Sequence, residues 1–510
     1  MSDVLSVLAS SLNDTQLAAA ARRLKNSTVN GGNRSAALTA LIELARSQKR
    51  MAVLICANAF DVARLNQEIA WLDPSLKVSS LPDWETLPYD TMSPHADLVS
   101  ERLETLYNLT SDDLQARPDV LIAAACTAAQ RFAPKSYVAG NTFFFRKGQT
   151  ISIGKLEASL VAAGYGRVEQ TMAPGEFAVR GGIVDIFPMG AATPLRLDLF
   201  DDEIDAIRRF DPESQRSTGS VDRVRILPGH EFAFDEESRN RFRAAWRAAF
   251  PGDPNKCPVY VDVGSGICSP GIEYYLPLFF ESTGTLADYL PDNALFITLG
   301  ETRDAIDSFM RQTQERYKFL SHDAQRPALP PEKLFDKADS FFDAIAPFGR
   351  ISLKAPETGI DTSLTIERSA KDPAAKLKDF VAKCRIEKKR ILIVATGSGR
   401  AARLQELLRD GVREPELVES FAAFVNGSEP LAIAVGPLSG GFVFEEPGLV
   451  IITESELYNT KAIIRRRGHN RTTNVEAIIR DVSELREGDP VVHAAHGVGR
   501  YHGLETISTE

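Results

Sequence analysis

The sequence predicts a multidomain α/β protein, and three observations carry that expectation. Nearly continuous apolar runs such as 51–56 and 119–125 stand between helical segments, the pattern of parallel strands covered on both faces. A stretch of short alternating strands with glycine turns interrupts this pattern between 135 and 216. The chain's 510 residues are also too many for one hydrophobic core.

The elements follow in order. Leu5, Leu8, Leu12, Leu17 and Leu24 recur at helical spacing, and Asn30-Gly31-Gly32-Asn33 breaks the helix. A helix over 35–46 leads into the 51–56 strand, and a helix over 61–71 into a strand over 77–81. After the Pro-rich stretch 82–94 come a helix over 97–109 and the 119–125 strand. This β-α-β alternation predicts a doubly wound parallel sheet whose first part spans 1–134.

From 135 to 216 the texture is mostly β. Phe143-Phe144-Phe145 precede a Lys-Gly turn, and 177–180 passes through Gly181-Gly182 into 183–187. The segment 195–200 alternates apolar and polar residues, as does most of 204–210, which suits half-buried antiparallel strands. Helices and strands return over 217–353, with strands expected at 259–263 and 294–299. A third α/β unit over 354–456 has expected strands at 390–395, 431–435 and 448–453 and a helix at 399–408. A basic helical linker, 457–487, leads to 488–510, which reads as the opening strands of a small β barrel cut short by truncation.

Composition removes several function classes. A formal charge of −10 argues against tight, sequence-independent DNA binding by the whole surface. A local basic run remains at Lys461, Arg465, Arg466, Arg467 and Arg471, which suits solvent, an acidic neighbour or a nucleic-acid backbone. No apolar run approaches the roughly 18 residues of a membrane span, and the N-terminus has no signal-peptide pattern, so a cytoplasmic location without membrane partners is expected. The five cysteines are scattered, without a CxxC pair or a neighbouring His at ligand spacing, so no metal site is expected.

The motifs that could carry chemistry are incomplete. A P-loop needs GxxxxGK[ST], with backbone N–H groups around the phosphates, a Lys on the β- and γ-oxygens and a hydroxyl on Mg²⁺. Gly31 and Gly32 sit where such a loop belongs, but Arg34 and Ser35 follow in place of Lys-Ser, so the loop reads as degenerate. Gly397-Ser398-Gly399-Arg400-Ala401-Ala402 fits a loose GxGxxA dinucleotide turn, a weak signal that a tight strand-to-helix turn explains better. His493 and His496 fall on opposite faces of an expected strand. No catalytic residues and no bound cofactor are therefore expected. Arg167, Arg180 and Phe187 in the β insertion are of the types found at interface hot spots, but taken by themselves the arginines read as solvated.

Several long motifs nevertheless point one way. They are Leu81-Pro82-Asp83-Trp84-Glu85-Thr86-Leu87-Pro88-Tyr89-Asp90, Ser93-Pro94-His95 and Gly175-Glu176-Phe177-Ala178-Val179-Arg180-Gly181-Gly182-Ile183-Val184-Asp185-Ile186-Phe187-Pro188. With Asp201-Asp202-Glu203-Ile204, Pro490-Val491-Val492-His493 and His496-Gly497-Val498-Gly499-Arg500-Tyr501, they resemble the bacterial transcription-repair coupling factors in consistent order along nearly the whole chain. The resemblance implies a UvrB-like, degenerate RecA-type module with a decayed ATP site, followed by a third α/β domain and the start of a Tudor-like barrel.

In such proteins the β insertion binds UvrA, an ATPase of damage recognition, and Tyr165-Gly166-Arg167, Arg180-Gly181 and Phe187 match its motif. Ala178 stands where UvrB-type sequences often carry another Arg. The barrel implies contact with the RNA polymerase β subunit through Gly499, Arg500, Tyr501 and Leu504. ATP, Mg²⁺ and double-stranded DNA are then the business of motor lobes beyond residue 510. The expected role is a non-motor scaffold that recruits UvrA to polymerase stalled at DNA damage in nucleotide excision repair. The rival is a stand-alone ATP-dependent helicase or nucleotide-binding enzyme.

Overall fold

The computed structural model describes residues 27–29, 38, 42, 45–111, 113, 116–353, 364–366, 372–409, 414–444, 448–458, 490–493 and 497–500. Residues 1–462 form one compact unit and 463–510 a second.

The first sheet gathers strands from distant parts of the chain. β1 (Ser27–Val29), β2 (Ala52–Cys56), β3 (Val78–Leu81) and β4 (Val120–Ala124) come first. β2 and β4 are buried at every position, as apolar runs covered on both faces must be. Between β2 and β3 lies the Ala59–Leu72 helix, where the Asn58 side chain accepts from the Asp61 N–H at the N-cap. Leu65, Ile69 and Leu72 line its buried side.

The chain then leaves this sheet. β5 (Phe143–Arg146), β6 (Gly166–Arg167), β7 (Glu176–Arg180), β8 (Ile183–Ile186), β9 (Leu195–Phe200), β10 (Glu203–Phe210), β11 (Ser217–Val221) and β12 (Arg223–Ile226) follow. β6 to β11 form a sheet in sequence order, and β5 pairs with β12, bringing the entry and exit of the insertion together. The β pairing thus runs on past Arg216 to Ile226. The chain returns with β13 (Leu295–Leu299) and β14 (Gly349–Leu353), completing a six-stranded parallel sheet in the order β1-β14-β13-β2-β4-β3.

One expected strand is a helix. Residues 259–263 lie within the Pro258–Gly264 helix, with Pro258 at its first turn, where a missing N–H costs nothing. Val259, Tyr260 and Val263 are buried while Val261 is 43% exposed; a strand would have put Val261 on the same side as Val259 and Val263.

The third sheet comprises β15 (Arg390–Ala395), β16 (Glu416–Leu417), β17 (Leu431–Val435), β18 (Phe442–Phe444) and β19 (Leu449–Thr453), in the order β16-β17-β15-β19-β18. Only β18 is antiparallel. The Ala59–Leu72 helix joins the first and third sheets in one apolar core. Trp71 Nε1 donates to the Val435 carbonyl at 3.1 Å, and buried Glu68 accepts from the Ser439 N–H at 3.0 Å and hydroxyl at 2.6 Å.

In the second unit, β20 (Pro490–His493) and β21 (Gly497–Arg500) pair antiparallel, Pro490 opposite Arg500. The described chain is a mixed α/β protein of several sheets. Among the described residues no helix is long and apolar enough to cross a membrane.

The Pro-rich loop after β3 packs onto the core. Trp84 and Tyr89 are buried, Trp84 Nε1 donates to Glu231 at 2.9 Å, and the Tyr89 hydroxyl donates to the Leu329 carbonyl at 2.8 Å. These contacts hold Tyr89 at a φ of 66°, a region a bulky residue rarely visits.

Candidate protein-docking face

The β insertion presents one apolar and one charged face, and its strand register determines which residue lies where. Side chains directly opposite each other in neighbouring strands share a face. Phe177 pairs with Ile186, Val179 with Val184, Ile186 with Leu195, and Val184 with Leu197, giving an apolar face that joins the main core. The intervening residues make the other face: Ala178 pairs with Asp185, Asp185 with Arg196, Arg196 with Arg208, and Arg208 with Ser220.

The expected docking residues separate on this frame. Arg167, on edge strand β6, pairs in register with Phe177 and therefore lies on the apolar side. There it is exposed and ion-paired to Glu157 of the Ile153–Ala162 helix. Arg180 lies one strand across and three residues further along, roughly 11 Å away between Cα atoms, on the charged face. Its side chain is 49% exposed and ion-paired to Asp185. The two arginines thus flank the β6–β7 edge from opposite faces.

Phe187, expected as an exposed aromatic, is 1% exposed. Its N–H donates to the Glu176 carbonyl and its carbonyl accepts from the Gly175 N–H, both at 2.9 Å. The segment before β7 runs close to β8, with Thr171 wholly buried and its hydroxyl 3.5 Å from the Asp185 carbonyl oxygen. Phe187 therefore lies covered on the charged side of the sheet and offers no surface to a partner. Tyr165 is likewise internal, its hydroxyl donating to the Leu227 carbonyl at 2.7 Å.

The charged face holds groups that sequence reasoning passed over. Asp185 is wholly buried and accepts from Arg196 Nε at 2.7 Å and Nη2 at 2.9 Å as well as from Arg180. Arg196 also lies 4.6 Å from the centre of the Phe210 ring. Arg208 is exposed and ion-paired to Asp198 at 3.2 Å. The signal was the alternation itself: Asp185 of β8, Arg196 and Asp198 of β9 and Arg208 of β10 fall on one face, with Asp185 and Arg196 in register.

The insertion is anchored at its base. Arg102 of the Ala96–Thr110 helix is wholly buried and grips Glu231 through Nε at 2.6 Å and Nη2 at 3.1 Å. Trp84 and Phe132 rings lie 5.2 Å and 5.6 Å from its guanidinium carbon. Elsewhere, Glu454 holds the 397–402 turn: it accepts from the Thr396 N–H at 2.8 Å and hydroxyl at 3.1 Å and pairs with Arg400.

Gly31, Gly32, Arg34 and Ser35 lie outside the described residues, as do the 461–471 basic run, Tyr501 and Leu504. Gly499 and Arg500 belong to β21, opposite Val491 and Pro490. Among the described residues no group of three His, Cys, Asp or Glu side chains could hold a metal ion.

Comparison with known proteins adds independent findings. Residues 143–232 match the UvrB interaction domain, 380–457 the MFD D3 domain, and 485–510 the CarD-like/TRCF RID domain. The chain is similar to transcription-repair-coupling factors of Haemophilus influenzae (35% identical over 92% of this chain and 41% of that protein) and Escherichia coli (35% over 93% and 41%). That of Bacillus subtilis is 26% identical over 95% of this chain and 42% of that protein. The chain therefore spans about two-fifths of the length of these curated relatives.

Proposed function

By sequence the chain belongs with the transcription-repair-coupling factors, and on that premise we propose that it is their non-motor docking platform. It recruits UvrA through the β insertion and contacts the RNA polymerase β subunit through the region around β21, linking stalled polymerase to nucleotide excision repair. The observation that carries this reading is the place of Arg180. It stands exposed at a hairpin tip within the matched UvrB interaction domain, on a sheet whose other face is locked into the core. Arg167 contributes from the opposite side of the same edge.

In this reading the first sheet is a RecA-like domain whose nucleotide loop at Gly31, Gly32, Arg34 and Ser35 has decayed, and β20–β21 opens a Tudor-like barrel. The chain itself is cytoplasmic and hydrolyses no ATP. ATP, Mg²⁺ and double-stranded DNA engage the motor of the longer relatives.

The test is capture of purified UvrA by the 510-residue chain. Arg167→Ala plus Arg180→Ala should abolish capture without changing the melting temperature. Undiminished capture by that variant would overturn the assignment of the face, and saturable ATP binding by the chain would favour the helicase reading.

A further inference from the structure

We propose that Asp185 is the positioning residue of the docking face, holding the exposed Arg180 guanidinium as a preset fork for a carboxylate on the partner. The inference rests on reading the insertion as the UvrA-docking module.

The geometry begins with a buried charge. Asp185 lies in β8 with its side chain 1% exposed, and an isolated carboxylate there would be costly. Its register partner Arg196 neutralises it with two hydrogen bonds at 2.7 and 2.9 Å. Arg196 is held in turn by the Gln215 carbonyl at 3.3 Å and by the Phe210 ring. Asp185 and Arg196 thus form a neutral pair with little freedom. Arg180 brings a second guanidinium to Asp185 Oδ2, so the cluster carries one net positive charge. That excess sits on the exposed member, since Arg196 is only 16% exposed.

The backbone under Arg180 is equally constrained. Arg180 pairs with Ile183 across the two-residue Gly181-Gly182 turn, where Gly181 has a φ of +61°. A Cβ on Gly182 would come within 2.8 Å of the Leu199 carbonyl oxygen, so this tip admits no other residue without shifting. A guanidinium carries five N–H donors in a fixed plane and no acceptor, which matches a carboxylate bidentately. With one Nη tied to Asp185, less side-chain freedom is lost when the remaining donors meet a partner.

Position and charge make opposite predictions at Asp185. Removing its negative charge makes the face more positive, so long-range attraction alone would tighten docking of an acidic surface. Loss of a positioning contact weakens docking despite the added positive charge. We therefore expect Asp185→Asn to bind purified UvrA about tenfold more weakly. In the Arg180→Ala background the same change should have no further effect, which a role confined to folding would not produce.

Arg180→Lys guards against misfolding of the Asp185 variant, because Arg180 is half exposed and the charge is kept. It should bind as weakly as Arg180→Ala, since an ammonium cannot form the fork. Wild-type binding by Arg180→Lys, or binding by Asp185→Asn equal to or tighter than wild type, would overturn the inference alone. Absence of UvrA binding by the unaltered chain would overturn the docking reading and the inference with it.

Discussion

Replacing Arg102 by Met should be among the most damaging single changes to this chain, and the size of the loss follows from its surroundings. Arg102 is wholly buried, and its partner Glu231 retains 4% exposure. Two hydrogen bonds at 2.6 and 3.1 Å join them, Trp84 adds a third to the same carboxylate at 2.9 Å, and the Pro82 carbonyl accepts from Arg102 at 2.7 Å. Methionine fills much of the volume but leaves Glu231 as a buried carboxylate without a counter-charge. Breaking such a pair from one side costs about 3–5 kcal/mol.

Replacing both partners, with Arg102→Met and Glu231→Leu, removes the stranded charge and should cost less than either single change. The assay is urea denaturation followed by tryptophan fluorescence. Trp84 touches both partners and is one of three tryptophans in the chain. The single variant should lower the midpoint of the transition that Trp84 reports, and the double variant should recover part of it. An Arg102→Met midpoint indistinguishable from wild type, or additive losses in the double variant, would refute the reasoning.

Three further outcomes follow from the same structure. Burial pushes the Glu273 carboxyl up to about 7 from an ordinary 4.5, so between those values the folded chain keeps a proton that the unfolded chain has lost. Stability therefore falls as pH rises through that window, by about 3 kcal/mol in all. Glu273→Gln should flatten this decline, measured as melting temperature from pH 4.5 to 8; a wild-type slope in the variant would rule it out. Burial pushes His230, stacked on Phe232, down to about 4, so its contribution runs the other way and is lost as pH falls below 6.5. At the joint between the first and third sheets, a Cβ on Gly436 would lie 2.5 Å from the Trp71 ring. Gly436→Ala should displace that ring at a cost of about 1–3 kcal/mol and speed amide exchange in β17; exchange unchanged from wild type would show the ring free to move.

The parallel strands were legible because burial on both faces demands uninterrupted apolar runs, and β15 and β17 fall on the residues that such runs mark. The 259–263 segment was not, because the short, mostly apolar Val259-Tyr260-Val261-Asp262-Val263 suits either periodicity; the preceding Pro258 was the discriminating sign. The pairing of β5 with β12 was hidden by the roughly 75 residues between them, which no local pattern spans. At the candidate site, Arg167 and Arg180 were visible as residues, while their separation onto opposite faces needed the β6–β7 register. Phe187 misled because alternation puts it on the charged face, and only the three-dimensional structure shows that this part of the face is covered.

The same alternation explains why the charged face can be specific without being a catalytic site. A sheet with its apolar side in the core can hide a carboxylate on its other side only if something covers and neutralises it. Asp185 meets both conditions, with Arg196 in register beside it and the wholly buried Thr171 hydroxyl 3.5 Å from its carbonyl. A polar residue in place of Arg196 would leave Asp185 with one charged partner, Arg180, and draw that side chain's charge into neutralising it. Two arginines on one acid keep a positive charge at the tip of the β7–β8 hairpin. Arg196→Gln should therefore weaken acidic-partner docking although Arg196 itself is largely buried, with the loss appearing in dissociation rate measured by surface plasmon resonance. An unchanged dissociation rate, with the fold intact by circular dichroism, would mean that Arg180 needs no such support.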